Sequence, residues 1–347
     1  LALYMPFNVF NSVARLKKNR GLSGVTDANW VAVGESSRFI SKSLDGNNWT
    51  GAGSVTGIAT NGFGVAYGKD GTGAGLWVAV GYGGLIAKSS DGNLWSQAAS
   101  VSGIATSGRG VAYGKDGTGA GLWVAVGQGG LISKSSDGNT WTQAASVSGI
   151  TTIGYGVAYG KDGTGAGLWV AVGQGGLISK SSDGNTWTQA ASVSGITTRG
   201  FGVAYGKDGT GAGLWVAVGS GGIISKSSDG NTWTQAASVS GITGSGRAVA
   251  YGKDGTGAGL WVAVSLDGTL ISKSSDGNTW TQAGSLSGIT SGSGVAYGKD
   301  GTGAGLWVAV GSGGIISKSS DGNTWTQAAS VSGITSGYGV AFNNEIV

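Results

Sequence analysis

The sequence predicts an all-β protein, a single closed seven-bladed β-propeller built from four-stranded antiparallel blades. Three observations carry this. The 14 tryptophans of the 347-residue chain fall into two sets of seven, Trp30, Trp77, Trp123, Trp169, Trp215, Trp261, Trp307 and Trp49, Trp95, Trp141, Trp187, Trp233, Trp280, Trp325. Successive members of each set lie about 46 residues apart, a period typical of propeller blades. Every unit holds four short apolar runs separated by Gly, Asp and Asn, and no stretch has helical period.

In the second unit the first run is Val65-Ala66-Tyr67, small and flanked by glycine, as crowding near a central axis requires. The second, residues 76–80, reads Leu-Trp-Val-Ala-Val and is apolar throughout, which suits a strand covered on both faces. The third spans 85–88 and the fourth begins at Leu94-Trp95. These outer runs mix in Ser, Lys, Thr and Gln, as expected toward the rim.

The ends of the chain predict how the ring closes. The first unit starts with its second run, at Trp30, whereas the C-terminus carries a spare first run, Val340-Ala341-Phe342. That run is expected to complete the blade begun by Trp30, leaving no open edge. The predicted domains are an N-terminal basic extension, 1–22, and the propeller, 23–347.

Composition narrows the function classes. There are 74 glycines and one proline, under the roughly 25–30 % that marks low-complexity disorder, and the glycines recur at fixed turn positions. There is no Cys and no His, which excludes disulfides, thiolate chemistry and Cys/His zinc sites. No run of 18 apolar residues is present, so no transmembrane helix is expected. The apolar start, Leu1 to Phe10, precedes the basic residues, the reverse of a signal peptide's order. Arg15, Lys17, Lys18 and Arg20 lie in the extension, and the remaining 17 basic residues balance 17 acidic ones. The body is therefore neutral, and no nucleic-acid partner is predicted for it. The basic arm has two readings, a solvated segment or a docking element for a larger assembly.

The element Ser-x-Asp-Gly-Asn-x-Trp closes each unit, from Ser43-Leu44-Asp45-Gly46-Asn47-Asn48-Trp49 to Ser319-Ser320-Asp321-Gly322-Asn323-Thr324-Trp325. It resembles the Asp-box, or BNR-like, repeat of sialidase-like propellers, with the Asp-to-Trp spacing one residue shorter. Together with Trp-Val-Ala-Val-Gly it also resembles repeat proteins of bacteria, phages and large DNA viruses. The resemblance implies a propeller fold and a virion or extracellular-surface setting. The element's own chemistry is structural: the Asp accepts turn N–H groups, Gly-Asn tolerates positive φ, and the Trp covers the hairpin.

The sialidase resemblance also implies an arginine triad and a Tyr/Glu nucleophile pair. The arginines are Arg15, Arg20, Arg38, Arg109, Arg199 and Arg247, and the glutamates only Glu35 and Glu345. Glu35 is expected in a turn and Glu345 beyond the closing strand, and the repeated aspartates cannot all be one tuned acid. No enzymatic activity is therefore expected, and no cofactor or metal. The Lys-Asp-Gly-Thr-Gly-Ala-Gly loop lacks the ending of a phosphate loop and supplies one carboxylate where calcium needs several oxygens.

The repeats differ in two places, and these carry the functional expectation. Two residues before each first-strand Val stand Phe63, Arg109, Tyr155, Phe201, Arg247, Ser293 and Tyr338, with Arg199 just upstream of one of them. The turn between second and third strands presents Tyr82, Gln128 and Gln174. In an up-and-down blade both connections lie on one face. The candidate ligand-binding residues are therefore Phe63, Arg109, Tyr155, Arg199, Phe201, Arg247, Tyr338, Tyr82, Gln128 and Gln174. Aromatics and Arg favour recognition, and the expected partner is a protein or a glycan. A multivalent lectin with equivalent inter-blade sites and a sialidase-like hydrolase are the alternatives. Drift in a permissive loop is the remaining explanation of the variation.

Overall fold

The structure, a computed structural model, describes residues 28–343 apart from 36–39, 59, 105, 268–270, 284–286 and 290. The basic extension, Arg38 and Glu345 lie outside the described residues.

Seven sheets form the ring. In the second blade the strands run Gly62–Lys69, Gly75–Gly81, Ile86–Ser89 and Leu94–Gln97 from the axis outward, each antiparallel to the last. The first blade takes its inner strand from the other end of the chain. Ser336–Phe342 pairs antiparallel with Trp30–Glu35, placing Trp30 opposite Phe342 and Ala32 opposite Val340. The predicted closure is present.

One feature departs from the expected four strands. Ser54–Val55, in the linker between blades, pairs parallel with Leu94–Gln97 before the chain dives to the axis. Among the described residues, five of the seven sheets carry such a fifth strand. Each linker thus fastens itself to the rim of the blade it is about to build.

The core lies between blades. Leu76, Val78, Val80 and Ile86 of the second blade pack against Val111, Trp123, Ala125 and Trp141 of the third. The second strand is buried at every apolar position because each of its faces meets another layer. The inner strands come so close that a Cβ on Gly68 would run into the Tyr113 ring of the next blade.

Two side-chain clamps repeat around the ring. The Trp123 indole N–H donates to the Lys69 carbonyl of the preceding blade at 2.8 Å, and Tyr113 packs on the same indole at 4.8 Å between ring centres. At the rim, Asn93 Oδ1 accepts the Gly53 amide N–H of the first blade at 3.0 Å. The turn asparagine therefore ties neighbouring blades together, a role its local sequence does not suggest. Trp123 is fully buried. Trp123→Ala is expected to cost about 3–5 kcal/mol in chemical denaturation, with Trp123→Phe costing clearly less because the apolar layer stays filled.

The Ser-x-Asp-Gly-Asn-x-Trp turn has the expected geometry. Asp45 Oδ1 accepts the amide N–H groups of Asn47 and Asn48, both at 2.8 Å. Gly46 has φ +71°, and the Trp49 indole donates to its carbonyl at 3.0 Å. This turn shares a face with the Lys-Asp-Gly-Thr loops, since a Cβ on Gly71 would stand 3.4 Å from Asp137 Cβ of the next blade. That face is nearly the same in the six repeats that carry both elements.

Candidate functional site

The variable residue at the head of each inner strand is the extra residue of a β-bulge. Gly62 faces Gly81 and Gly64 faces Val80, so Phe63 has no partner across the ladder. The same shift occurs at Arg109, Tyr155, Phe201, Arg247 and Ser293, and at Tyr338 in the closing blade. A bulge of this kind re-aims a side chain out of the sheet. The flanking glycine is needed for close approach: a Cβ on Gly64 would stand 2.9 Å from the Arg109 carbonyl oxygen.

All seven side chains, half-buried, line one recess at the mouth of the central channel. Its volume is ≈ 480 Å³, within the ~300–1,000 Å³ typical of ligand sites. Valines of the inner strands, among them Val65 and Val111, form its floor, and Leu266 joins the wall.

The ring residues stack on one another. Tyr338 and Phe63 have ring centres 5.5 Å apart, and Tyr155 and Phe201 5.0 Å. The Arg109 guanidinium lies 4.1 Å from the centre of the Phe63 ring, and that of Arg247 lies 4.1 Å from Phe201. Burial pulls the Arg247 pKa down, nearby Asp267 opposes it, and the like charges of Arg199 and Arg109 add to the depression. The Nε atoms of both stacked arginines are buried without a hydrogen-bond partner.

The second variable set forms a belt around this recess. The Tyr82 amide donates to the Asn61 carbonyl at 2.9 Å, and Tyr82 bridges Ser107 of the next blade. Gln128 and Gln174 repeat the pattern against Ser107 and Ile153, and Gln174 bridges Arg199. The two variable connections therefore share one face, as expected. Tyr82, Gln128 and Arg199 are exposed and Gln174 is half-buried, and none of the four lines the recess. The recess thus unites Phe63, Arg109, Tyr155, Phe201, Arg247 and Tyr338, with the other four residues on the rim.

Two acidic residues also reach the mouth. Glu35 is not in the expected turn: the register of the closing strand extends the first strand of the chain to include it. The Tyr338 hydroxyl donates to Glu35 Oε2 at 3.0 Å. Burial, then that hydrogen bond and the carboxylate's charge, raise the Tyr338 pKa, keeping the phenol protonated. Asp267 Oδ2 accepts the Ser245 amide at 3.0 Å. Among the described residues the mouth therefore holds Arg109, Arg199 and Arg247 against Glu35 and Asp267. Sequence reasoning did not bring Glu35 and Tyr338 together, because only ring closure joins residues 303 positions apart.

Elsewhere, no group of three or more acidic residues suited to a metal occurs among the described residues. No helix among them is long and apolar enough to cross a membrane.

No family model matches the chain, and no curated protein matches it. Solved structures do resemble it. YCF48 from Cyanidioschyzon merolae is similar with a TM-score of 0.55 and 16% identity, over 82% of this chain and 96% of that one. A structure of YCF48 bound to D1 peptide is similar with a TM-score of 0.52 and 16% identity, over 87% of this chain and 86% of that one. At such identity the likeness concerns the fold alone, and the fold is a seven-bladed β-propeller.

Proposed function

We propose that this propeller is a non-enzymatic recognition module that binds a protein partner, as a peptide segment, at the variable mouth of its channel. The observation that carries this is the bulge: in every blade the ladder is broken at one residue, and that residue is among those that vary between repeats. A rigid scaffold with a varied, aromatic and arginine-rich recess is the usual anatomy of a recognition site. The similar structure of YCF48 bound to D1 peptide supports the reading, since it is a propeller of this fold that holds a peptide.

The test is panning of a random peptide library on phage against the intact protein, with an Arg109→Ala/Tyr155→Ala/Phe201→Ala variant as the counter-screen. Peptides that bind the parent and lose at least tenfold in affinity on the variant are expected. A glycan array run beside it addresses the other partner class. Saturable glycan binding lost in the variant, with no peptide enriched, would replace the protein partner by a carbohydrate.

The Tyr338–Glu35 hydrogen bond favours a second reading, a glycoside hydrolase. Turnover of fluorogenic glycosides that disappears in Glu35→Gln would establish it. No turnover is expected, because the raised Tyr338 pKa opposes formation of a phenolate nucleophile.

A further inference from the structure

Taken in blade order, the bulged residues read Tyr338, Phe63, Arg109, then Tyr155, Phe201, Arg247, then Ser293. The triplet Tyr-Phe-Arg occurs twice, and one serine fills the seventh place. The geometry repeats with the residues. Each triplet is a Tyr–Phe ring pair with a guanidinium on the Phe, at 4.1 Å in both copies.

Neither guanidinium has a hydrogen bond or ion pair among the described residues. A guanidinium centred over a ring is held against it there, while its terminal Nη donors can still pair bidentately with a carboxylate. Asp267 is near enough to act on Arg247 through its charge but makes no ion pair with it, so two half-buried cations in one recess remain without a direct partner, at a cost in the free protein. An anion at each removes that cost. The two arginines are three blades apart, about 154° around a seven-bladed ring, so they stand on nearly opposite walls of the mouth.

Resting on the reading of the mouth as the peptide site, we infer that its partner is an extended acidic peptide with two carboxylates, one on Arg109 and one on Arg247. Successive side chains of an extended chain point to opposite sides. The two acidic residues are therefore separated by an odd number of positions, i and i+1 or i and i+3. The Phe rings beneath the arginines fix where each carboxylate lands.

The experiment uses the peptides selected by panning on the intact protein, resynthesised with blocked termini. Two acidic residues at odd spacing are expected to be enriched. Replacing either Glu by Gln should weaken binding about ten- to a hundred-fold, the range for hydrogen bonds to charged groups. Arg109→Ala and Arg247→Ala should each cost the same. The decisive readout is the cycle: one Glu→Gln change should cost nothing further on Arg109→Ala, and the other nothing further on Arg247→Ala. Such coupling is not produced by a variant that is merely less well folded. Binding should also weaken with added salt.

Selected peptides that compete at the mouth but lack acidic pairs, or that show no coupling to either arginine, would overturn the inference while leaving the peptide site standing. A library that enriches nothing sensitive to the triple-alanine variant would overturn the peptide site itself.

Discussion

A chain ending at Thr335 is expected to lose the closed ring. The removed strand supplies the inner edge of the first blade, with Trp30 opposite Phe342 and Ala32 opposite Val340. It also supplies Val340 and Phe342 to the apolar layer that joins the first and last blades, where Phe342 lies 4.8 Å from the Trp30 ring. Losing these contacts and exposing Trp30 removes about three buried apolar side chains, roughly 5–9 kcal/mol at ~1.5–3 kcal/mol each. That is comparable with the ~5–15 kcal/mol total stability of a typical domain. It also leaves Trp30–Glu35 as a bare apolar edge, which recruits other chains. Light scattering after gel filtration should show species larger than those of the intact chain, or aggregate, with the cooperative thermal transition lost. A synthetic peptide of residues 336–347 added in trans should restore part of that transition. A truncated chain of the parent's solution size that melts at the parent temperature would refute the closure account.

The second large effect is a steep loss of stability in acid. Thirteen aspartates, seven in the Trp-closed turns and six in the Lys-Asp-Gly-Thr loops, have lowered pKa values. At Asp45 burial pulls the pKa up, but the amides of Asn48 and Asn47 and the side chains of Asn48 and Ser43 outweigh it, bringing it to about 2. At Asp70 the Thr72 hydroxyl is the main cause, partly opposed by burial. A carboxylate with a depressed folded pKa contributes stability that is complete above its unfolded pKa, near ~3.9. That contribution is lost as pH falls through the folded value. Each group is mostly solvated and contributes little alone, so the effect comes from number. Calorimetry should give a melting temperature that is flat from pH 7 to about 5 and falls continuously toward pH 2. Asp137→Asn should lower the plateau and flatten the acid limb slightly. A melting temperature unchanged down to pH 2 would refute the account.

Much of the scaffold was legible because it is local and repeated. The tryptophan spacing marks the blades. Leu-Trp-Val-Ala-Val announces a strand covered on both faces. A missing first run at one end and a spare one at the other predict the join. What stayed hidden is non-local or too short to leave a pattern. Ser54–Val55 is two residues long, so no alternation could reveal its parallel pairing. The reach of Asn93 to the preceding blade depends on how blades nest.

The candidate site was half legible. Variation at 63 and its equivalents pointed to the channel mouth, and the structure gathers those residues there. The bulge behind that placement was not visible, because Gly-x-Gly reads equally well as the plain start of a strand. The Arg109–Phe63 and Arg247–Phe201 stacks join successive blades, and 46 residues of sequence separate the members of each pair. Arg199 illustrates the limit: it stands just upstream of Phe201 in sequence, yet its side chain is exposed on the rim.

The central claim is that one composite site, assembled from different residues of seven blades, binds the partner. Isothermal titration of a panned peptide into the intact protein tests it most directly. One peptide per chain is expected, with binding lost in the Arg109→Ala/Tyr155→Ala/Phe201→Ala variant. Several equal sites per chain, or binding untouched by that variant, would place recognition in the repeated inter-blade surfaces and contradict the claim.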